Sequence, residues 1–365
     1  MTQELRPTPS LDAPDTVRLS LQDWLTESVY PNRKLIIPAI VIPENTGMSN
    51  ITLLFDCVLD DQETMPMVAR LQAQGDKLAF PEYNLPMQYA AMEALGKISG
   101  LQLPQLVAQE PSGEILGTPF YIMQRCDGRI PPDMPPYHMD GWLLDASPAD
   151  RKALWNSAIS MIATLHAQDP TAAPLAEFVQ QYNFPKSLDE QLRYWEHYMA
   201  WGLEGARNEA CEQALAWLRQ HQPEEQCLRL CWGDSRMANV IFDPTKNEIA
   251  ALLDWEMLCM GDPLQDIAWW IFMDEVFSHG IGIPRLEGFP DIDTSAQLWS
   301  TLSGHKYDKL HYYRVYAGMR ISLILARMSL ATDGRMSRVN FARLNIHTET
   351  STKNKHTNHT TPTAA

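Results

Sequence analysis

The chain has 365 residues, 45% of them hydrophobic, enough for one large domain or two lobes around a real core. Its 45 acidic against 29 basic side chains give a formal net charge of -16. That balance argues against nucleic acid or an anionic membrane surface as the main partner, because phosphate backbones reward clustered Lys and Arg. It reads as an acidic surface, with a cationic substrate as the alternative.

The opening MTQELRPTPSLDAPD is polar and Pro-rich and lacks the apolar core of a secretory leader. The longest apolar runs, such as LIIPAIVIP from Leu35, fall far short of the ~20 residues that a bilayer span requires. Six cysteines, at 57, 126, 211, 227, 231 and 259, include no Cys-x-x-Cys pair, and several lie inside apolar runs. Read as buried reduced thiols, they point to the cytoplasm.

Residues 1–30 read as a lead-in bearing one helix, since 19–25 carry apolar residues at helical spacing. A strand-rich region follows. Residues 51–58 and 65–71 form a predicted hairpin across the polar turn LDDQET. Residues 85–98 read as a helix, and 105–109 and 119–123 return to strand character. Together they make a small α+β lobe over 31–126.

DGRIPPDMPPYHMDG, from Asp127, is a Pro-rich crossing and marks the lobe boundary. The second lobe, 127–346, reads as mainly helical. Ser147 is a natural N-cap and Pro148 suits the first turn of a long amphipathic helix reaching 169. Helical patterns recur at 188–203, 208–220, 263–276 and 307–328, with short strands near 228–232, 240–242 and 249–253. The Thr- and Asn-rich tail, 347–365, lacks large apolar residues and is expected to be disordered.

The chemistry concentrates in CWGDSRMANVIFD, from Cys231 to Asp243. Asp234 and Asn239 stand five apart in a loop between two short strands, and Asp254 ends another strand in LLDWE. Asp, Asn and Asp, each leaving a strand, suit phosphoryl transfer with magnesium. One carboxylate accepts the acceptor hydroxyl's proton, while hard oxygen ligands hold Mg²⁺ against nucleotide phosphates. The plainer alternative for Asp234 is an Asx-turn residue capping its loop.

The series WGDSRMANVIFD…AALLDWEMLCMGDPLQDIAWW resembles the core of the aminoglycoside phosphotransferase-like family, which shares the protein-kinase-like fold with choline kinases. The family pattern is His-Gly-Asp, four residues, Asn, then Ile-Asp-Trp-Glu, Gly-Asp-Pro and Asp-Leu-Ala. Gly233, Asp234, Asn239, Asp254, Trp255, Glu256, Gly261, Asp262, Pro263 and Asp266 occupy those places. Further matches are GMSN at 47–50, FYIMQRCDGR at 120–129 and ATLHAQDP around His166. The resemblance implies an α+β, bilobal protein-kinase-like fold, with a small β-rich N-lobe and a larger, mainly helical C-lobe.

It also implies ATP and Mg²⁺, with Asp234 as catalytic base and Asn239 and Asp254 as metal ligands. Asp266 would brace the catalytic loop, and Asp262 would cap a helix or face substrate. On the nucleotide side, Ser49 and Asn50 would lie over the phosphates. Arg70 would replace the customary strand lysine, and Gln88 the helix glutamate that pairs with it. Gln124 to Cys126 would form the connector whose backbone binds adenine. Trp232 stands where the family has His.

The activity implied is ATP-dependent transfer of the γ-phosphoryl group to a hydroxyl of a small molecule. Gln88 and Trp232 raise the alternative of a pseudokinase that binds nucleotide or acts as a scaffold. Family acceptors include aminoglycosides and choline-like, sugar-like and hydroxyacyl compounds. Apolar, aromatic helices around Trp269 and His311 allow a greasy acceptor pocket.

Overall fold

The computed structural model describes residues 13–43, 50–60, 62–75, 78–224 and 227–331. The predicted phosphate contact Ser49 and the tail 347–365 lie outside them.

The N-terminal part opens with α1 (Pro14–Ser28), which has proline in its first turn and buries Leu21 and Leu25, one turn apart. The strands β1 (Leu35–Ile36), β2 (Ile40–Val41), β3 (Asn50–Leu59) and β4 (Glu63–Gln72) follow. Then come α2 (Leu85–Leu95), β5 (Leu106–Glu110) and β6 (Phe120–Gln124). The sheet order is β1-β3-β4-β6-β5, with β2 also on β3 and all pairings antiparallel.

Side chains alternate across such a sheet, and the alternation decides where Arg70 points. Met67, Ala69 and Leu71 of β4, with Phe120 and Ile122 of β6, join Leu21 and Leu25 of α1 in one core on the outer face. Val68, Tyr121 and Met123 belong to the other core, on the inner face. Arg70 has the parity of Val68 and faces inward.

The C-terminal part contains α3 (Pro148–His166), α4 (Leu175–Gln181), α5 (Leu188–Gly202) and α6 (Glu209–Gln220). Next are β7 (Arg229–Cys231), β8 (Val240–Phe242), β9 (Ile249–Leu252) and β10 (Cys259–Gly261), which pair as two short hairpin-like ribbons, β7 with β10 and β8 with β9. Helices α7 (Leu264–Val276), α8 (Ile292–Ser303) and α9 (Leu310–Ala331) complete it. Ser147 caps α3 as its position predicts, accepting from the Asp150 N–H.

Helix α7 is buried around nearly its whole circumference, which marks a core helix. It packs against α9, and its buried polar residues include Asp266 and Asp274. Each of these needs partners. Asp274 receives the Tyr137 hydroxyl at 2.6 Å and His138 Nε2 at 3.1 Å, which fastens the Pro-rich crossing to the helical core. Among the described residues, no helix is long and apolar enough to cross a membrane.

Candidate active site

A cleft of about 540 Å³ opens between the inner face of the sheet and the loops of the C-terminal part. Thr52, Arg70 and Tyr121 line it from the sheet, Gln124, Arg125 and Cys126 from the end of β6 and the residues just after it, and Arg236, Asn239 and Asp254 from below.

The lower loop runs from β7 to β8. Gly233 takes φ +89°, and a Cβ there would lie 1.9 Å from the Met257 carbonyl oxygen, so the turn requires glycine. Asp234 follows, 7% exposed. Its Oδ2 accepts from Asn239 Nδ2 at 2.8 Å and Arg236 Nε at 2.9 Å, and its Oδ1 accepts from Trp269 Nε1 at 2.9 Å. Asn239 Nδ2 also donates to the Asp234 carbonyl at 2.9 Å. With its NH₂ spent there, Asn239 is left with its amide oxygen for other partners. Asp234 itself is not part of the cleft lining; it stands one hydrogen bond behind Arg236 and Asn239, which are.

Asp266, fully buried on α7, holds the backbone of this loop. One carboxylate oxygen accepts from the Trp232 N–H at 2.6 Å and His166 Nε2 at 3.0 Å, the other from the Gly233 N–H at 2.9 Å. His166 Nδ1 accepts from Trp299 Nε1 at 2.9 Å, which fixes the imidazole with its proton toward Asp266. Cys231 lies close to His166 and Asp266 in a metal-like grouping. Burial drives its thiol well above the ordinary range, and Gln265 Nε2 donates to its sulfur, so the trio is a hydrogen-bonded brace rather than a thiolate site. Asp262 Oδ1 accepts from the Leu264 N–H at 3.0 Å, at the start of α7. Trp232, in the histidine position, donates Nε1–H to the Leu253 carbonyl at 2.8 Å and so steadies the strand end that presents Asp254.

Asp254 has φ +62°, a left-handed conformation that Asp tolerates better than most residues. Its Oδ1 accepts from Arg70 Nη2 at 3.1 Å, and Arg70 Nη1 donates to Thr52 Oγ1 at 2.8 Å. Burial works most strongly against the Arg70 charge, but Asp254, Tyr121 and Glu256 together outweigh it and hold the guanidinium above its usual value. Burial also pushes the neighbouring Tyr121 hydroxyl up to about 12.

Two residues expected on the nucleotide side have these surroundings. Gln88 is 2% exposed on α2, but the Arg70 guanidinium is bonded to Thr52 and Asp254 instead. Buried carboxylate attraction exceeds what a neutral amide offers. Asn50, at the start of β3, is 1% exposed and outside the cleft lining; its Nδ2 donates to Glu256 Oε2 at 3.1 Å. It ties the sheet to the loop after Asp254. Gln124 and Cys126 do line the cleft, and the Arg125 N–H between them is anchored on the Pro66 carbonyl at 2.9 Å.

Arg236 was not foreseen. Its Nε holds Asp234 while Nη1 bonds Asp133, and those two carboxylates raise its pKa well above normal against the pull of burial. The signal available was a cation two residues after an Asp, which reads equally well as a surface residue.

The fold has counterparts among solved structures. A Ralstonia eutropha JMP134 protein provisionally assigned as an aminoglycoside phosphotransferase superposes with TM-score 0.64 at 23% identity, over 89% of this chain and 97% of that one. The macrolide 2'-phosphotransferase MphH of Brachybacterium faecium gives TM-score 0.56 at 16% identity, over 89% and 98%. A thermostable mutant of aminoglycoside phosphotransferase APH(4)-Ia, in a ternary complex with AMP-PNP and hygromycin B, gives 0.54 at 16%, over 89% and 98%. These likenesses establish the fold, and the expected α+β, bilobal kinase-like architecture stands.

In sequence, mouse acyl-CoA dehydrogenase family member 10 is 28% identical over 271 residues, 71% of this chain and 24% of that protein. Rat acyl-CoA dehydrogenase family member 11 is 28% identical over 227 residues, 61% and 26%. The chain thus spans about a quarter of the length of these curated relatives. The phosphotransferase enzyme family matches residues 59–295, well over half the chain, and the protein belongs to that family.

Proposed function

We propose that the protein transfers the γ-phosphoryl group of ATP to a hydroxyl of a small molecule, with Mg²⁺, using Asp234 as the base. The observation that carries this reading is the meeting of Arg70, Arg236, Asn239 and Asp254 on one cleft, with Asp234 hydrogen-bonded directly behind Arg236 and Asn239. Phosphoryl transfer asks mainly for positioning and charge neutralisation, and these residues offer both.

Asn239 and Asp254 fit a hard divalent cation. Both offer oxygen, the Asn239 NH₂ is already committed, and Asp254 is presented on a left-handed backbone. A bound Mg²⁺ would supply charge neutralisation at the phosphate oxygens. Arg70 is the residue for the phosphates from above, and it must share its bond to Asp254 when they arrive. The segment Gln124 to Cys126 is the candidate adenine connector. Asp234 orients the acceptor hydroxyl and takes its proton as the oxygen attacks the γ-phosphorus; the bond to the β-phosphate breaks and ADP leaves with the electron pair.

The pseudokinase reading rests on Trp232 and Gln88. Trp232 supplies a hydrogen-bonded brace of its own, and the Asp-Asn-Asp set is complete, so catalysis is favoured. Hydroxyacyl compounds head the list of acceptors, because the relatives carry the matched segment in chains named for acyl-CoA dehydrogenases. The test is Mg²⁺-dependent ADP release against a panel of hydroxyacyl, sugar-like, choline-like and aminoglycoside compounds. Clear stimulation by one class is expected; tight ATP binding with no stimulation across the panel would favour the pseudokinase.

A further inference from the structure

Asp266 and Trp269 lie three apart on α7, and so on one face of the helix. Between them they hold three consecutive residues of the lower loop. Asp266 accepts the backbone N–H groups of Trp232 and Gly233, and Trp269 donates to the Asp234 carboxylate. Arg320, on α9 and 3% exposed, reaches the same place. Its Nη2 donates to the Gly233 carbonyl at 3.0 Å, and its guanidinium lies 4.5 Å from the centre of the Trp269 ring. Trp195 and Tyr316 close the box at 5.2 and 5.3 Å. Nε and Nη1 of Arg320 have no hydrogen-bond partner among the described residues, so this buried cation is held largely by aromatic faces.

A carboxylate offers about four lone-pair sites, two on each oxygen. On Asp234, Oδ2 receives both Arg236 and Asn239, whereas Oδ1 receives Trp269 alone. We infer that Trp269, steadied by Arg320, is a positioning residue that turns the remaining lone pair of Asp234 Oδ1 toward the acceptor hydroxyl. This inference rests on Asp234 being the base.

The experiment has two readouts. In a nitrogen–proton correlation spectrum of the full chain, the indole signal lost in Trp269→Phe identifies Trp269. That signal should shift strongly in Asp234→Asn and in Arg320→Met. In parallel, MgATP turnover is measured with water as the acceptor. Trp269→Phe should lower kcat about tenfold to a hundredfold, with KM for MgATP held within about twofold. A purely structural role would instead lower the melting temperature and leave kcat per folded molecule unchanged. Should Trp269→Phe fail to fold, Arg320→Met carries the turnover readout.

An indole signal indifferent to Asp234→Asn, or an unchanged kcat in a folded Trp269→Phe, would overturn the inference. Full turnover by Asp234→Asn would instead remove the base itself. Loss of turnover in Asp234→Asn beside a normal Trp269→Phe would sink only the role of Trp269.

Discussion

Asp234, below the cleft, receives hydrogen bonds from three side chains, and Asp266 and Arg320 hold the backbone just before it. Arg70, above the cleft, is held by Thr52 on its own sheet and by Asp254 from below. The lower side is therefore built from the core outward, through the buried helix α7. The upper side reaches down to the lower one for its strongest partner. A preformed floor needs no rearrangement when charge develops, whereas the roof must trade a contact when phosphates and metal arrive.

The largest effect should come from removing the floor's main brace. Asp266→Asn sets an NH₂ group against N–H donors in a fully buried position, and it should cost about 3–5 kcal/mol of stability. Chemical denaturation measures this, and a change below about 1 kcal/mol would mean that the loop is held by other means. Next is the roof. Arg70→Gln should raise KM for ATP about tenfold or more, as one charge-assisted grip on phosphate is lost. It should also tighten binding of Mn²⁺ alone, because Asp254 is freed of its partner. Unchanged Mn²⁺ affinity would show that the pair does not compete with metal. The smallest effect belongs to Gln88→Ala. Since Gln88 does not hold Arg70, KM for ATP should stay within about twofold while stability falls by about 1–2 kcal/mol for the lost buried side chain.

The floor was more legible in the sequence than the roof, for a physical reason. Polar residues isolated between apolar strands, such as Asp234, Asn239 and Asp254, must be kept for a purpose because burying them costs free energy. Asp266 inside an apolar helix is conspicuous in the same way. Trp269 was not, since a tryptophan in such a helix looks like core, and nothing marks which N–H will meet a carboxylate. On the roof, the local pattern around Arg70 left its face open until the two cores assigned it to the inner side of β4. Asn50 and Gln88 were placed by register with a family pattern, and a register says nothing about which partner a side chain finds across a cleft. The helix α8 escaped notice because Ser295 and Ala296 supply much of its buried face, and small residues give a weak hydrophobic period.

The measurement closest to the central claim is phosphoryl transfer from radiolabelled ATP to the acceptor selected by the panel, comparing the native chain with Asp234→Asn. Label should appear on the acceptor with the native chain and be abolished in Asp234→Asn, while the variant still binds nucleotide. Transfer at the native rate by Asp234→Asn would contradict the account.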